Sequence, residues 1–177
     1  MDATIFKKAP HNPPHLFLPN TLYMLTASTF QREPVMEKPE RKLEWIQSFL
    51  LAAQKYAWSI FAWVVLDDHY HALVQSPDNP HSLPKFVGSY HKFLARKWNE
   101  EDFSEGRKVW WNYWDTCVRS EMDFYNRLRY IFWNPVKHGL VQVAEEYKFS
   151  NYQEFIMKWQ FEFDFTDRIE VGDVPEF

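Results

Sequence analysis

Two kinds of hydrophobic periodicity alternate along this chain in a fixed order, and that order restricts the fold more than any other feature. Thr21 to Thr29 (TLYMLTAST) is dense in β-branched and aromatic residues and reads as a strand. From Pro39 to Tyr56 the apolar residues return at helical spacing, with Leu43, Ile46, Phe49, Leu50 and Ala53 as the stripe. Trp58 to Leu66 is a continuous apolar strand expected to be buried on both faces. Asp67 and Asp68 read as a two-residue turn into a second strand, His69 to Gln75. Ser82 to Asn99 forms an amphipathic helix carrying Leu83, Phe86, Val87, Tyr90, Leu94 and Trp98, and Val109 to Val118 is a further aromatic strand. Glu121 to Asn134 is a third helix, with Gly139 as its stop. The succession β-α-β-β-α-β-α predicts an α+β fold of the split β-α-β kind, an antiparallel sheet with helices packed on it.

The 177 residues are the length of one domain, and a 46% hydrophobic content can fill one core. Residues 1–20, with Pro10, Pro13, Pro14 and Pro19, read as an extended arm. Residues 21–155 form the domain proper. Tyr152 to Gln160 reads as a short helix, and residues 156–177 as an acidic, aromatic tail. The single cysteine, Cys117, excludes an internal disulfide and fits a reducing compartment. The longest clean apolar run, Ile60 to Leu66, is too short to cross a bilayer, and the first residues lack the apolar stretch of a secretory signal. The expectation is a soluble, cytoplasmic protein.

Net charge is −4, which at face value disfavours a nucleic-acid partner. The distribution weakens that objection: residues 1–79 carry −1, residues 80–140 carry +3 and residues 141–177 carry −6. Aromatic residues make up 19% of the chain, with nine Trp, enough for both a core and base stacking.

Alternate residues of a strand point to one face, so His69 and His71 project side by side at a spacing that lets both bind one ion. The same pair also fits ordinary hydrogen-bonding histidines on a sheet surface. On the third helix, Phe124, Leu128 and Ile131 form the core stripe. Tyr130 falls roughly opposite, among Asp123, Asn126, Arg127, Asn134 and Lys137, where its hydroxyl is expected to stay wet. Tyr130 and Asn134 are four apart and therefore neighbours. Asn134 precedes Pro135, so the helix is expected to end or kink there, and the pair also reads as a surface tyrosine beside a turn signal.

Taken together, the two sites suggest a phosphodiester chemistry. A phenol, with a pKa near ~10, attacks phosphorus poorly unaided. A divalent ion on His69 and His71, with the Asn134 carboxamide as third ligand, can polarise the phosphate and orient it for attack by Tyr130, leaving a covalent phosphotyrosine. Gly88, Gly106, Gly139 and Gly172 make neither a P-loop nor a dinucleotide fingerprint, consistent with strand transfer that needs no nucleotide.

Two segments, LDDHYHALV and VWWNYWDTCVRSEMDFYNRLRYIFWNPVKHGLV, closely resemble the single-tyrosine HUH transposases, nearest to the REP-associated tyrosine transposases of bacteria. The resemblance runs from about Thr21 to Phe155 and is strongest over residues 109–141. It implies a ferredoxin-like sheet, metal-binding histidines at His69 and His71, the nucleophile at Tyr130 and a third polar ligand at Asn134. It further implies dependence on Mg²⁺ or Mn²⁺, cutting of single-stranded DNA near imperfect hairpins, and a 5′-phosphotyrosine link. The metal's identity rests on the resemblance alone, because imidazoles by themselves favour later transition metals. Two positions depart from the pattern: Tyr70 places a second phenol between the histidines, and Asp68 stands where relatives carry Asn or Glu.

Basic residues that would track phosphates are Lys92, Arg96 and Lys97 on the second helix and Arg119, Arg127, Arg129 and Lys137 around the third. Trp133 is the aromatic residue singled out for stacking. Competing with the strand-transferase are a hairpin-binding regulatory protein with weak or no chemistry, and a phosphohydrolase using metal-bound water. Monomer and homodimer both fit the sequence.

Overall fold

In a computed structural model of the chain, which describes residues 6–9 and 12–159, the expected sheet is present. The elements are β1 (Phe6–Ala9), β2 (Asn12–Leu16), β3 (Leu22–Ser28), α1 (Pro39–Tyr56), β4 (Ser59–Val65), β5 (His69–Gln75), α2 (Leu83–Glu101), β6 (Trp114–Cys117), α3 (Glu121–Lys137) and α4 (Tyr152–Trp159). Four strands form one sheet in the order β4-β5-β3-β6, every pair antiparallel. With helices crossing from β3 to β4 and from β5 to β6, this is the ferredoxin-like arrangement. The Asp67-Asp68 turn joins β4 to β5, closed by the Leu66 N–H donating to the His69 carbonyl at 2.8 Å.

Strand alternation sorts the side chains into two cores. Tyr23, Leu25 and Ala27 of β3 and Tyr70, Ala72 and Val74 of β5 face α1 and α2, packing with Trp45, Phe49, Phe86, Tyr90, Leu94 and Trp98. The opposite face carries Met24, Val64 and Leu73 and meets Leu128, Ile131 and Phe132 of α3 and Phe155 of α4. Trp45, Trp58, Trp63, Trp98 and Trp110 are all buried in the first core, which absorbs most of the aromatic content.

Three local expectations need correction. Along α1 the buried face is Trp45, Phe49, Ala52 and Ala53, whereas Leu43 and Leu50 are exposed. Two apolar stripes overlap on this helix, and the one containing Trp45 buries the larger area. The strand expected over Val109–Val118 is reduced to Trp114–Cys117 plus an isolated bridge from Thr29 to Trp110. Thr26 pairs with Trp114 and Thr29 bridges to Trp110, so this segment spends one residue more than β3 and the ladder breaks between them. Finally, α3 does not stop at Asn134 but runs through Pro135 to Lys137. It ends at Gly139, whose φ of +69° permits the left-handed turn in which the Leu140 N–H returns to the Pro135 carbonyl at 2.9 Å.

The edge strand β4 is covered rather than left open. The Asn151 side chain, almost fully buried, accepts from the Trp63 N–H at 2.7 Å and donates to the Phe61 carbonyl at 3.0 Å, while Ser150 bridges to Val64. Asn151→Ala leaves two main-chain groups unpaired and is expected to cost roughly 2–3 kcal/mol. Thermal unfolding followed by circular dichroism should then show a midpoint lowered by about 5–10 °C, and a midpoint within about 1 °C of the parent would contradict this role.

In the segment expected as an extended arm, β1 pairs antiparallel with β2. His15 of β2 stacks on Tyr113 at 5.0 Å and hydrogen-bonds Asp115 of β6. Residues 1–5, 10–11 and 160–177, and with them most of the expected acidic tail, lie outside the described residues. No helix among the described residues is long and apolar enough to cross a membrane.

Candidate active site

The alternation of β5 decides which side chains can meet. His69 and His71 point to the face covered by α3, and both are buried. Tyr70 points the other way, where its hydroxyl lies 2.6 Å from that of Tyr90 and 3.0 Å from His91 Nε2. It is a fully buried core residue, which removes it from the site.

Each histidine is held through Nδ1. Asp68 Oδ1 lies 2.5 Å from His69 Nδ1, and Thr26 Oγ1 lies 2.8 Å from His71 Nδ1. Such partners fix the ring and turn Nε2 toward the site. Burial, reinforced by the neighbouring His69, pushes the His71 pKa well below the usual histidine range, so this ring stays neutral with a lone pair to offer. Burial works against ionisation of Asp68. Its hydrogen bond to His69 and the nearby Arg32 guanidinium nevertheless hold its carboxyl below the ordinary range.

The Nε2 side of the pair is where hydrogen bonding fails to close. Among the described residues, His71 Nε2 is buried without a hydrogen-bond partner, and so is Asn134 Nδ2. His69 Nε2 lies 3.2 Å from Asn134 Oδ1, so His69 is bracketed by two oxygen acceptors. A neutral imidazole has one N–H to give to them. A divalent cation held by the two Nε2 atoms and Asn134 Oδ1 would give the orphaned His71 Nε2 a partner and take the place of the His69–Asn134 contact. The donor set fits such an ion.

Tyr130 stands beside this locus. Its ring is 4.8 Å from the His71 ring, at 79°, and one turn before Asn134. The expectation of a wet tyrosine on the outer side of the helix is corrected, because Tyr130 is only 8% exposed. The polar flank of α3 turns toward the histidine-bearing face of the sheet, not to solvent. Arg127 reaches Thr116 of β6, Asn134 reaches His69, and Tyr130 lies between them along the helix. α3 therefore buries an apolar stripe and a functional stripe together. It is set in place by Ser120, whose hydroxyl accepts the Asp123 N–H at 3.1 Å as N-cap.

Three residues at the site went unread in the sequence. Thr26 is set by strand register, which only the pairing of β3 with β5 reveals. His138 has its ring 5.1 Å from His69, and the signal was present: it continues the four-residue spacing of Tyr130 and Asn134. Arg32 sits 3.5 Å from Asp68, carried by a turn with positive φ that no periodicity marks.

The basic residues divide. Lys137 places its Nζ 5.8 Å from the Tyr130 ring centre. Arg119 is exposed just before α3 and Arg129 is half-buried on it. Arg127 is buried and paired with Asp123 at 2.6 Å, so it is a strut between α3 and β6. Lys92, Arg96 and Lys97 are not brought to the site. They ride on α2, on the other face of the sheet, with Arg96 paired to Glu100 and Lys97 to Glu44. Trp133 is half-buried, with its indole N–H turned inside and without a partner among the described residues.

The segment that carries the sheet and its paired histidines matches a known family. The chain belongs to the IS200-like transposases, whose family model, described as "Transposase IS200 like", matches residues 18–118. That match contains His69 and His71 and ends before α3. Among its relatives, the REP-associated tyrosine transposase of Escherichia coli (strain K12) is 27% identical over 124 residues, spanning 67% of this chain and 66% of that protein. A Haemophilus influenzae protein given the same name provisionally is 27% identical over 118 residues, spanning 62% of this chain and 67% of its own length. The chain thus spans about two thirds of these relatives. A solved structure of a REP-associated tyrosine transposase bound to a REP hairpin has the same fold, with a TM-score of 0.68 at 18% identity. The superposition covers 92% of this chain and 95% of that one.

Proposed function

We propose that this chain is a metal-dependent endonuclease and strand-transferase acting on single-stranded DNA next to hairpins formed by inverted repeats. The observation that carries the reading is the contact of the Tyr130 ring with His71, whose Nε2 is buried without a partner. Family membership and the hairpin-bound neighbour support the DNA substrate class.

His69, His71 and Asn134 would hold Mg²⁺ or Mn²⁺; when bound, such an ion polarises a phosphate oxygen and offsets the charge that builds up on it. Asp68 and Thr26 keep the two imidazoles oriented. Tyr130 supplies the nucleophile: its Oη–P bond forms as the bond from phosphorus to the 3′ oxygen breaks. The phenolic proton is lost, the departing oxygen takes one up, and the products are a 5′-phosphotyrosine and a free 3′-hydroxyl. The linkage conserves the energy of the broken diester, so a second 3′-hydroxyl can reverse the step on another strand. Burial of Tyr130 and both histidines excludes bulk water, which would otherwise compete for phosphorus.

The test uses the full chain, Mn²⁺ or Mg²⁺, and a labelled synthetic DNA hairpin of inverted-repeat type with unpaired arms. On a denaturing gel, label is expected to travel with the protein. A labelled strand that binds but never becomes covalent would make the chain a hairpin-binding protein, and freely released products would make it a hydrolase.

A further inference from the structure

The histidine-bearing face of the sheet is not fully covered by α3 and α4. Toward β6 it opens into a cavity of about 440 Å³ lined by Met24 and Thr26 of β3 and Trp114 and Thr116 of β6. We propose that this cavity is a base pocket, which takes one unpaired nucleobase of the DNA strand held at Tyr130 and stacks it on the Trp114 indole. The proposal deepens the DNA-cleaving reading above and rests on it.

Strand register sets the position. His71 pairs with Thr26, and Thr26 pairs with Trp114, so the three residues form one row across β5, β3 and β6. Trp114 therefore stands two strand spacings, roughly 10 Å, from His71. That is within reach of a base neighbouring the scissile phosphate. Thr26 joins the two places physically, with its hydroxyl on His71 Nδ1 and its side chain in the cavity wall.

Lining and size suit the same occupant. Trp114 is 53% exposed on a sheet face, in a chain that buries five other tryptophans in one core. Its environment is a thioether, two hydroxyls and no carboxylate, which an electron-rich, uncharged ring can enter without meeting like charge. The volume lies in the range of sites for small ligands. Arg127, which donates to Thr116, closes the rim toward α3 with its charge paired to Asp123. The Thr26 and Thr116 hydroxyls are held by His71 and Arg127, and stacking on Trp114, which every base can do, is the interaction the pocket offers to any occupant.

The experiment places 2-aminopurine, a fluorescent base quenched by stacking, at each unpaired position of the same synthetic hairpin in turn. The protein is the full chain carrying Tyr130→Phe to block cleavage. One arm position is expected to be quenched on binding. Trp114→Ala should abolish that quenching and weaken binding about 5- to 100-fold, whereas Trp114→Phe should preserve both. Independently of any protein variant, an abasic residue at the same position should weaken binding by a similar factor. Combined with Trp114→Ala, it should add no further loss. Quenching that survives Trp114→Ala, or losses that multiply, would overturn the pocket while leaving the nuclease reading intact. Absence of any hairpin binding would overturn both.

Discussion

Tyr130→Phe is expected to eliminate the covalent protein–DNA adduct, lowering its yield by at least roughly four orders of magnitude, as loss of the attacking group does in covalent catalysis. Only the nucleophilic oxygen is removed. The ring that packs against His71 and beneath the Lys137 ammonium stays, so hairpin affinity is expected to remain within about threefold. Burial makes the substitution informative: a phenyl ring occupies the same volume in the second core, and the fold should melt within a few degrees of the parent. The measurement is adduct yield on a denaturing gel beside hairpin binding by mobility shift. Retained cleavage with free products would mean that water, not Tyr130, attacks phosphorus. Loss of binding together with cleavage would mean that Tyr130 holds the strand rather than cutting it.

The sequence was most legible where one periodicity dominated. β5 shows this best: alternation alone sends His69 and His71 to one face and Tyr70 to the other, and the structure has them so. Tyr130 shows the limit. Helical angles set it apart from Leu128 and Ile131, yet it is buried with them in the second core, because a polar flank was equated with solvent. A helix laid on a sheet face has two flanks near the sheet, and polar residues belong there when the sheet itself presents polar groups, as it does with His69, His71 and Thr116. Residues contributed by pairing between distant strands stayed hidden for a different reason. Thr26 has no signature in its own segment, because its role depends on being opposite His71 across the β3–β5 ladder. The basic residues of α2 lie away from the histidines on the same ground: nearness in sequence to the histidine strand says nothing about which face of the sheet the next helix will cover.

Replacing either histidine tests the ion rather than the nucleophile. His69→Ala and His71→Ala each remove one Nε2 from the locus, and each should lower adduct yield at least roughly 100-fold. The decisive expectation is that activity in these variants no longer rises with added Mn²⁺, while the parent's does. The two should differ in stability. His71 is fully buried between Thr26 and Tyr130, so its loss leaves a cavity and an unpaired hydroxyl, whereas His69 lies at the mouth of the strand beside Asp68 and His138. A melting curve on each variant therefore accompanies the metal titration, and His69→Ala, the milder change, carries the inference should His71→Ala fail to fold. Asn134→Ala should be gentler than either, since water can replace one neutral oxygen ligand. A Mn²⁺ response that persists unchanged in both histidine variants would show that the ion binds elsewhere. The unsatisfied nitrogens on this face would then need another explanation.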